Sequence, residues 1–191
     1  HGGRAHALRA TVFAKREFAG YWEYLLDEAI YTAPAHPQWG GSALIGADGK
    51  LLAVGSLLVQ EKVDAGTLQG NMLVPIDLLA PILDDMLKLG RPARTAHGWL
   101  GMYATEAGAR LVVAGLAPGA PAERGGVQVG DVIVEVAGEK PRSLADLWRR
   151  VWALGGPGTE VPLKLMRKSG AVETRLRAAD RNDFLKKPHL H

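Results

Sequence analysis

The segment from residue 97 to residue 179 constrains the fold most, because five short apolar stretches surround one helix with clear end signals. The helix is predicted over Leu144–Leu154, with Ser143 as its N-cap and Gly155-Gly156 as its terminator. The predicted strands are Trp99–Ala104, Arg110–Ala114, Val132–Ala137, Val161–Arg167 and Val172–Ala178. Short strands around a single helix predict a small, partly open β-barrel.

The preceding part of the chain also predicts strands, and it ends in a helix. Asp48-Gly49 lies between the apolar stretches Ala43–Ile45 and Leu51–Val59, which is a strong hairpin signal. Apolar residues at helical spacing predict one amphipathic helix over residues 76–89, with Asp77 as its N-cap. Further strands are predicted over Ala7–Phe13, Tyr21–Tyr31 and Asn71–Pro75.

The composition of the 191-residue chain excludes several functional classes. It contains no Cys, which rules out a disulfide scaffold and a cysteine nucleophile, and no metal or cofactor is expected. A net charge of +3 without a basic stripe argues against a nucleic-acid partner. The chain has no apolar run of the roughly 18 residues that a membrane helix needs, so membrane insertion is not expected. It does not begin with Met and shows no signal peptide, which predicts a processed or truncated chain.

Three motifs in sequence order carry a resemblance to a known domain. They are Trp99–Met102, the run Ala117-Pro118-Gly119-Ala120-Pro121-Ala122, and the run Gly126–Ile133 with Gly130-Asp131 inside it. With the capped helix that follows, they resemble a PDZ domain of the bacterial type. The resemblance implies capture of an extended peptide by strand addition beside a helix.

The chain as a whole resembles the C-terminal part of an HtrA/Deg-type serine protease, in which a trypsin-like barrel precedes PDZ domains. Residues Asn71–Asp77 resemble the last barrel strand and linking helix, and Ala33–Gly49 resembles the loop that carries the nucleophile. The implied fold class is mainly β, with a C-terminal half of a trypsin-like barrel and a connecting helix over residues 1–90. A PDZ domain over residues 97–179 and a polar tail over residues 180–191 complete the implied organisation.

The nucleophile loop departs from the pattern of that family, which reads N-P-G-N-S-G-G-P-L-L-N-x-D-G. This chain reads H-P-Q-W-G-G-S-A-L-I-G-A-D-G over residues 36–49. In the gapless alignment, Gly40 replaces the nucleophilic Ser and Gln38 replaces the oxyanion-hole Gly. A shift by one residue places Trp39 at the nucleophile and Pro37, which has no N–H, at the oxyanion position. Neither alignment supplies a serine.

Three other features could be mistaken for catalytic residues. Ser42 follows Gly-Gly but begins a predicted strand, and His36 lies in a loop flanked by Pro37. The stretch Thr95-Ala96-His97 follows the loop and is predicted to be a linker. A serine nucleophile needs a base and an orienting carboxylate, which in this family come from a preceding barrel. Too few residues precede His36 in this chain to form that barrel.

The resemblance assigns the peptide-binding groove to two elements. The amides of Leu100, Gly101 and Met102 are the candidate donors to a terminal carboxylate, in a loop that begins at Trp99. The other reading of this stretch is a plain core strand. The second wall is the predicted helix, whose candidate groove residues are Leu147, Trp148, Val151 and Trp152. The two Trp side chains either stack on ligand side chains or pack against the protease-like part or another chain.

The sequence therefore predicts a catalytically degenerate, HtrA-like module that recognises hydrophobic peptide C-termini or unfolded segments through its PDZ groove. By the resemblance, its location is the periplasm or cell envelope. An alternative is the C-terminal fragment of an active serine endopeptidase. A second alternative is a structural oligomerisation module, since an incomplete barrel leaves strand edges that need pairing and so predicts a homo-oligomer.

Overall fold

The chain is mainly β, as predicted, and it contains two five-stranded sheets in a computed structural model that describes residues 4–64, 66–93 and 96–185. Its described residues form two compact units. The first holds residues up to Phe18 and Leu26–Ala93, and the second holds Ala19–Leu25 and the described residues after Ala93. The segment Ala19–Leu25 thus packs with the second unit although it lies early in the chain.

The sheet of the first unit has the strand order β1-β2-β5-β4-β3. Its small core consists of Ile30, Ala53 and Leu73, with Leu44 packed against them. The predicted hairpin at Asp48-Gly49 is confirmed, because β3 pairs antiparallel with β4. The strands are β1 Thr11–Gly20, β2 Tyr24–Ala33, β3 Ala43–Ile45, β4 Leu51–Val63 and β5 Gly66–Pro75.

The first strand lies later in the chain than predicted, and its charged residues explain the difference. The prediction of a strand over Ala7–Phe13 stopped before Lys15 and Arg16, but β1 runs through both. Lys15 lies 3.7 Å from Glu28 on β2, and Arg16 forms an ion pair with Glu61 on β4. Charged side chains on the solvent side are compatible with a strand when they find partners on neighbouring strands.

The single helix predicted over residues 76–89 is wrong in its first half. Two short 3₁₀ turns, Ile76–Leu78 and Ala80–Ile82, precede the α-helix α1, Leu83–Leu89. Pro81 lies inside the second turn, where its missing N–H and its ring disfavour a continuous α-helix. The predicted end of this helix at residue 89 is confirmed, because Gly90 ends α1 with a left-handed φ of 69°.

The sheet of the second unit has the strand order β10-β9-β8-β7-β6. Its strands are β6 Met102–Ala107, β7 Arg110–Leu116, β8 Val132–Val136, β9 Glu160–Arg167 and β10 Gly170–Arg177. Two helices belong to this unit, α2 Pro121–Arg124 and α3 Leu144–Ala153. The predicted N-cap of α3 is confirmed, since Ser143 Oγ accepts a hydrogen bond from the Asp146 amide at 3.1 Å.

The core of the second unit is larger and places α3 against the sheet. Leu147, Trp148 and Val151 of α3 are fully buried among strand residues that include Val113 and Leu165. The strand predicted over Trp99–Ala104 starts three residues too early, because Gly101 turns the backbone out of the strand conformation. This turn creates the loop on which the candidate site is built.

Candidate peptide-binding site

The loop before β6 depends on the absence of a side chain at Gly101. Its φ is +70°, in the left-handed region that favours glycine. A Cβ at this position would lie 2.2 Å from the Cβ of Ala120, so a larger residue would force the backbone to move. The turn at Gly101 lets the neighbouring amides of Leu100 and Met102 point at one acceptor.

That acceptor is the side-chain carboxylate of Glu23. The Leu100 amide lies 3.2 Å from one carboxylate oxygen and 3.0 Å from the other, and it donates to both. The Met102 amide donates to the first of these oxygens at 2.9 Å. Glu23 is only 5% exposed. The loop that was predicted to bind the carboxylate of a peptide therefore binds the side-chain carboxylate of Glu23, a residue of the same chain.

Burial controls the protonation of Glu23. Loss of water around the carboxylate raises the pKa of Glu23 from 4.5 to about 7. Hydrogen bonds from the amides of Leu100, Met102 and Gly101 oppose that shift, and so does the positive charge of Arg181. The pKa of about 7 means that the buried group changes its charge near neutral pH.

The residues before Glu23 lie along β6 and α3 as a bound peptide strand would. The Ala104 amide of β6 donates to the Tyr21 carbonyl at 3.0 Å. From the other side, Trp148 Nε1 of α3 donates to the Gly20 carbonyl at 3.0 Å. Main-chain bonds to a strand on one side and a helix contact on the other match peptide binding by strand addition.

The predicted helix residues occupy different environments. Leu147, Trp148 and Val151 are buried in the core, and the Trp148 ring also donates a hydrogen bond to the Gly20 carbonyl. The ring of Trp152 is half-buried and stacks on His97, with ring centroids 4.7 Å apart. Stacking of Trp148 and Trp152 on ligand side chains therefore stays a prediction.

Trp99 serves as a structural anchor of the loop. Its amide and carbonyl both bond to Ala179, at 2.9 and 2.8 Å. Its buried ring lies 4.8 Å from the ring of Phe184, in a 3₁₀ turn over Arg181–Phe184. The polar tail predicted over residues 180–191 therefore contains an ordered apolar contact in its described part, and residues 186–191 lie outside the described residues.

The predicted remnant of a nucleophile loop lies in the first unit. Gln38, Trp39 and Gly40 line a cleft of about 1070 Å³. The Ser42 hydroxyl donates to the Trp39 carbonyl at 3.0 Å. His36 Nδ1 accepts from the Gln38 amide at 3.0 Å, and its Nε2 lies 2.9 Å from the His6 carbonyl. No hydrogen bond joins Ser42 to His36 in this part of the structure.

The described residues contain neither a metal-binding cluster nor a membrane-spanning helix. Within residues 4–64, 66–93 and 96–185, no group of three or more His, Asp or Glu side chains is arranged to hold a metal ion. No helix in the same described part of the chain has the length and apolar character needed to cross a membrane. Thr95, the first residue of the stretch that was predicted to be a linker, lies outside the described residues.

Sequence reasoning missed Glu23, the best-placed charged residue of the site. Glu23 is an acidic residue in an aromatic stretch, Tyr21-Trp22-Glu23-Tyr24, which was predicted to be a continuous strand. Glu23 instead has a left-handed φ of 59° and separates β1 from β2. No local signal marks this turn, because it contains neither Gly nor Pro at the position with positive φ.

Comparisons with known proteins find a matching domain family and several similar proteins. A family model for the PDZ domain matches residues 112–167. The chain is 28% identical over 144 residues to a probable periplasmic serine endoprotease, DegP-like, from Halomonas elongata, a match that covers 69% of this chain and 29% of that protein. It is 25% identical over 127 residues to the serine endoprotease DegS of Haemophilus influenzae, covering 66% of this chain and 37% of that protein.

A solved structure titled HtrA-type protease AlgW with decapeptide is also similar. It is 22% identical to this chain, with a TM-score of 0.49, and the match covers 85% of this chain and 50% of that one. The chain thus spans only about a third of the length of the two curated relatives and half of this solved chain.

Proposed function

Because this chain carries a PDZ domain and is homologous to the HtrA-type serine endoproteases, we propose that it binds peptides or unfolded protein C-termini without cleaving them. The peptide would add as a strand beside β6, with its terminal carboxylate in the loop Leu100–Met102. The single observation that supports this role most is the capture of a carboxylate by the Leu100 and Met102 amides. Backbone amides that converge on one anion are a recurrent way of binding a chain terminus.

The proposal that this chain does not cleave peptides rests on the loop over residues 36–49. The position of the family's nucleophile carries Gly40 in the gapless alignment, and Ser42 is hydrogen-bonded to the Trp39 carbonyl. Both ring nitrogens of His36 have backbone partners, so His36 does not act as a base toward Ser42. On this proposal, Ser42 and His36 do not form a nucleophile and base pair in the cleft at this loop.

The setting of this role is also a proposal. Relatives such as the DegP-like protein of Halomonas elongata are named as periplasmic proteases. A periplasmic or envelope location for this chain would place it among exported, partly unfolded proteins. A homo-oligomeric state is proposed on the ground that, among the described residues, the first sheet ends in β1 and β3, each with one edge unpaired in the sheet order.

The test of the binding role is a titration with hydrophobic peptides that differ only at the C-terminus. The five Trp residues provide the fluorescence signal. We expect saturable binding of the free acid and a loss of at least about tenfold in affinity on amidation, since a charge-assisted hydrogen-bond pair is removed. Equal affinity for both forms, or no binding of either, would overturn the proposed role of the carboxylate loop.

A cleavage assay on the same peptides tests the second half of the proposal. We expect the peptides to remain intact during long incubation with the protein. Cleavage that copurifies with the chain and disappears in Ser42→Ala would instead support the endopeptidase alternative.

A further inference from the structure

We propose that the segment Ala19–Glu23 is an internal ligand of the PDZ groove, so that an external peptide binds only by displacing it. This inference rests on the proposed peptide-binding function and specifies how that function is regulated. It also names the class of ligand, which is a peptide segment with an internal Glu side chain, because the amides of Leu100 and Met102 donate to such a carboxylate.

The carboxylate contacts make internal and external ligands mutually exclusive. Both carboxylate oxygens of Glu23 accept from the Leu100 amide, and one of them also accepts from the Met102 amide. Gly101 lies between these donors, and an added Cβ there would lie 2.2 Å from the Cβ of Ala120. A terminal carboxylate of another peptide needs the same amides at the same distance, so it cannot bind while Glu23 is in place.

The backbone of Glu23 explains how an internal residue reaches a site suited to a chain end. A bound peptide stops at its carboxylate, whereas this chain has to continue into β2. Glu23 does so with a φ of 59°, a left-handed conformation that is unfavourable for a residue with a Cβ. Such an unfavourable backbone at a binding site persists only when surrounding contacts fix it.

The main-chain contacts extend the resemblance to a bound peptide beyond the carboxylate. The Tyr21 carbonyl accepts from Ala104 of β6, and the Gly20 carbonyl accepts from Trp148 of α3. The Tyr21 ring packs edge-on against Tyr103, with centroids 5.9 Å apart. Ala19 packs against the core of the second unit. The segment therefore occupies the strand position as well as the carboxylate position.

Tethering gives this internal ligand an advantage over any free peptide. A ligand on the same chain competes at an effective concentration in the millimolar range for a short connection. The apparent affinity for an external peptide then falls in proportion to the fraction of molecules with an open groove. Weakening the Glu23 contacts should raise that fraction and tighten external binding.

The first test compares Glu23→Gln with the unmodified protein in the free-acid peptide titration. The Gln amide group places N–H donors beside the Leu100 donor, so the internal ligand should dissociate more readily. We expect external affinity to rise by about tenfold or more, as the competent fraction grows. Glu28→Gln removes the same charge from an exposed position on β2 and should leave the affinity unchanged. Equal affinities of the unmodified protein and Glu23→Gln would overturn the proposal.

A second measurement uses the unmodified protein and so does not depend on the folding of a variant. Amide hydrogen exchange is followed with and without a saturating free-acid peptide. We expect Leu100, Met102 and Ala104 to stay protected, while the amides of residues 19–23 exchange at least about tenfold faster once displaced. Protection of residues 19–23 that does not change at saturation would overturn the proposal, because the peptide would then bind without displacing them.

A third experiment separates this inference from the proposed function. The probe is a peptide with the sequence of residues 18–25. Its N-terminus is acetylated and its C-terminus is amidated, so the side chain of Glu23 is its only carboxylate. We expect it to bind Glu23→Gln and to bind at least about tenfold less tightly when its own Glu is replaced by Gln.

The outcomes of the two titrations are distinguishable. Binding of the blocked peptide without binding of any free-acid peptide would support the internal ligand and overturn the proposed function. Binding of free-acid peptides alone, equally to the unmodified protein and to Glu23→Gln, would support the proposed function and overturn the internal ligand.

Discussion

Met102 donates its backbone N–H to the carboxylate of Glu23 at 2.9 Å, although 79 residues separate the two along the chain. This bond links the start of β6 to the turn between β1 and β2. It places a buried ionisable group inside the second unit and fills the loop that would receive a peptide carboxylate.

The stability of the protein should depend on pH through Glu23. Its pKa of about 7 in the folded protein exceeds the ordinary 4.5, so the folded state binds more protons between these values. The contribution of Glu23 is therefore fully present below a pH of about 4.5 and is lost as the pH rises through about 7. Relative to Glu23→Gln, the unmodified protein should lose up to about 3 kcal/mol of unfolding free energy over this window.

Urea unfolding of both proteins at several pH values between about 4.5 and 8 measures this difference. Glu28→Gln serves as the control for a change of charge at an exposed site. A constant gap between the unmodified protein and Glu23→Gln over the whole range would contradict the prediction.

Removal of the Asp131 charge should destabilise the second unit. Asp131 is 2% exposed and accepts from Arg167 Nε at 2.6 Å and from the Gln128 amide at 2.8 Å. Burial alone would raise the pKa of Asp131, but these bonds hold the pKa below its usual value. Asp131→Asn should lower the unfolding free energy by about 2 kcal/mol, since it removes the charge of a buried carboxylate that is paired with the partly exposed side chain of Arg167.

Chemical denaturation at neutral pH tests the Asp131 prediction. The matched control is Glu160→Gln, because Glu160 pairs with Arg175 at 3.8 Å with both side chains exposed. That change should cost less than about 1 kcal/mol. Similar losses of unfolding free energy in the two variants would contradict the prediction, because they would show that burial of Asp131 does not increase the cost of removing its charge.

Substitution of Gly101 should abolish peptide binding, while the same substitution at Gly108 should not. Both glycines have left-handed φ values, 70° and 62°, so each Ala variant carries a similar backbone cost. Only at Gly101 does the new Cβ meet a neighbour, at 2.2 Å, whereas no atom lies within 4 Å at Gly108. Gly101→Ala should therefore lose about 2 kcal/mol more stability than Gly108→Ala.

The peptide titration and urea unfolding of both variants test this pair. Saturable binding by Gly101→Ala with the affinity of Gly108→Ala would contradict the assignment of the carboxylate loop.

The protein should not react with a fluorophosphonate probe for activated serines. Ser42 donates to the Trp39 carbonyl, and both ring nitrogens of His36 have other partners, so we expect His36 not to activate the Ser42 hydroxyl. Mass spectrometry after prolonged exposure should find Ser42 unmodified. Labelling of Ser42 that stops on heat denaturation would show an activated nucleophile and refute this expectation.

Local sequence signals predicted the elements that short-range forces stabilise. Ser143 caps α3 because its hydroxyl reaches an amide three residues ahead, and Asp48-Gly49 forms its hairpin because the turn needs a positive φ at Gly49. The helix predicted over residues 76–89 is interrupted in its first half for a local reason as well, because Pro81 favours a 3₁₀ turn over a continuous α-helix.

By itself, the amino-acid sequence determined the mainly β class, the PDZ motifs and the absence of a serine at the expected nucleophile position. The occupancy of the groove was decided only by tertiary structure. Glu23 meets Leu100 and Met102 across 77 and 79 residues, and such a contact depends on the whole path of the chain between them. Local patterns report capping, turns and periodicity, but they do not report which distant amide a buried carboxylate will meet.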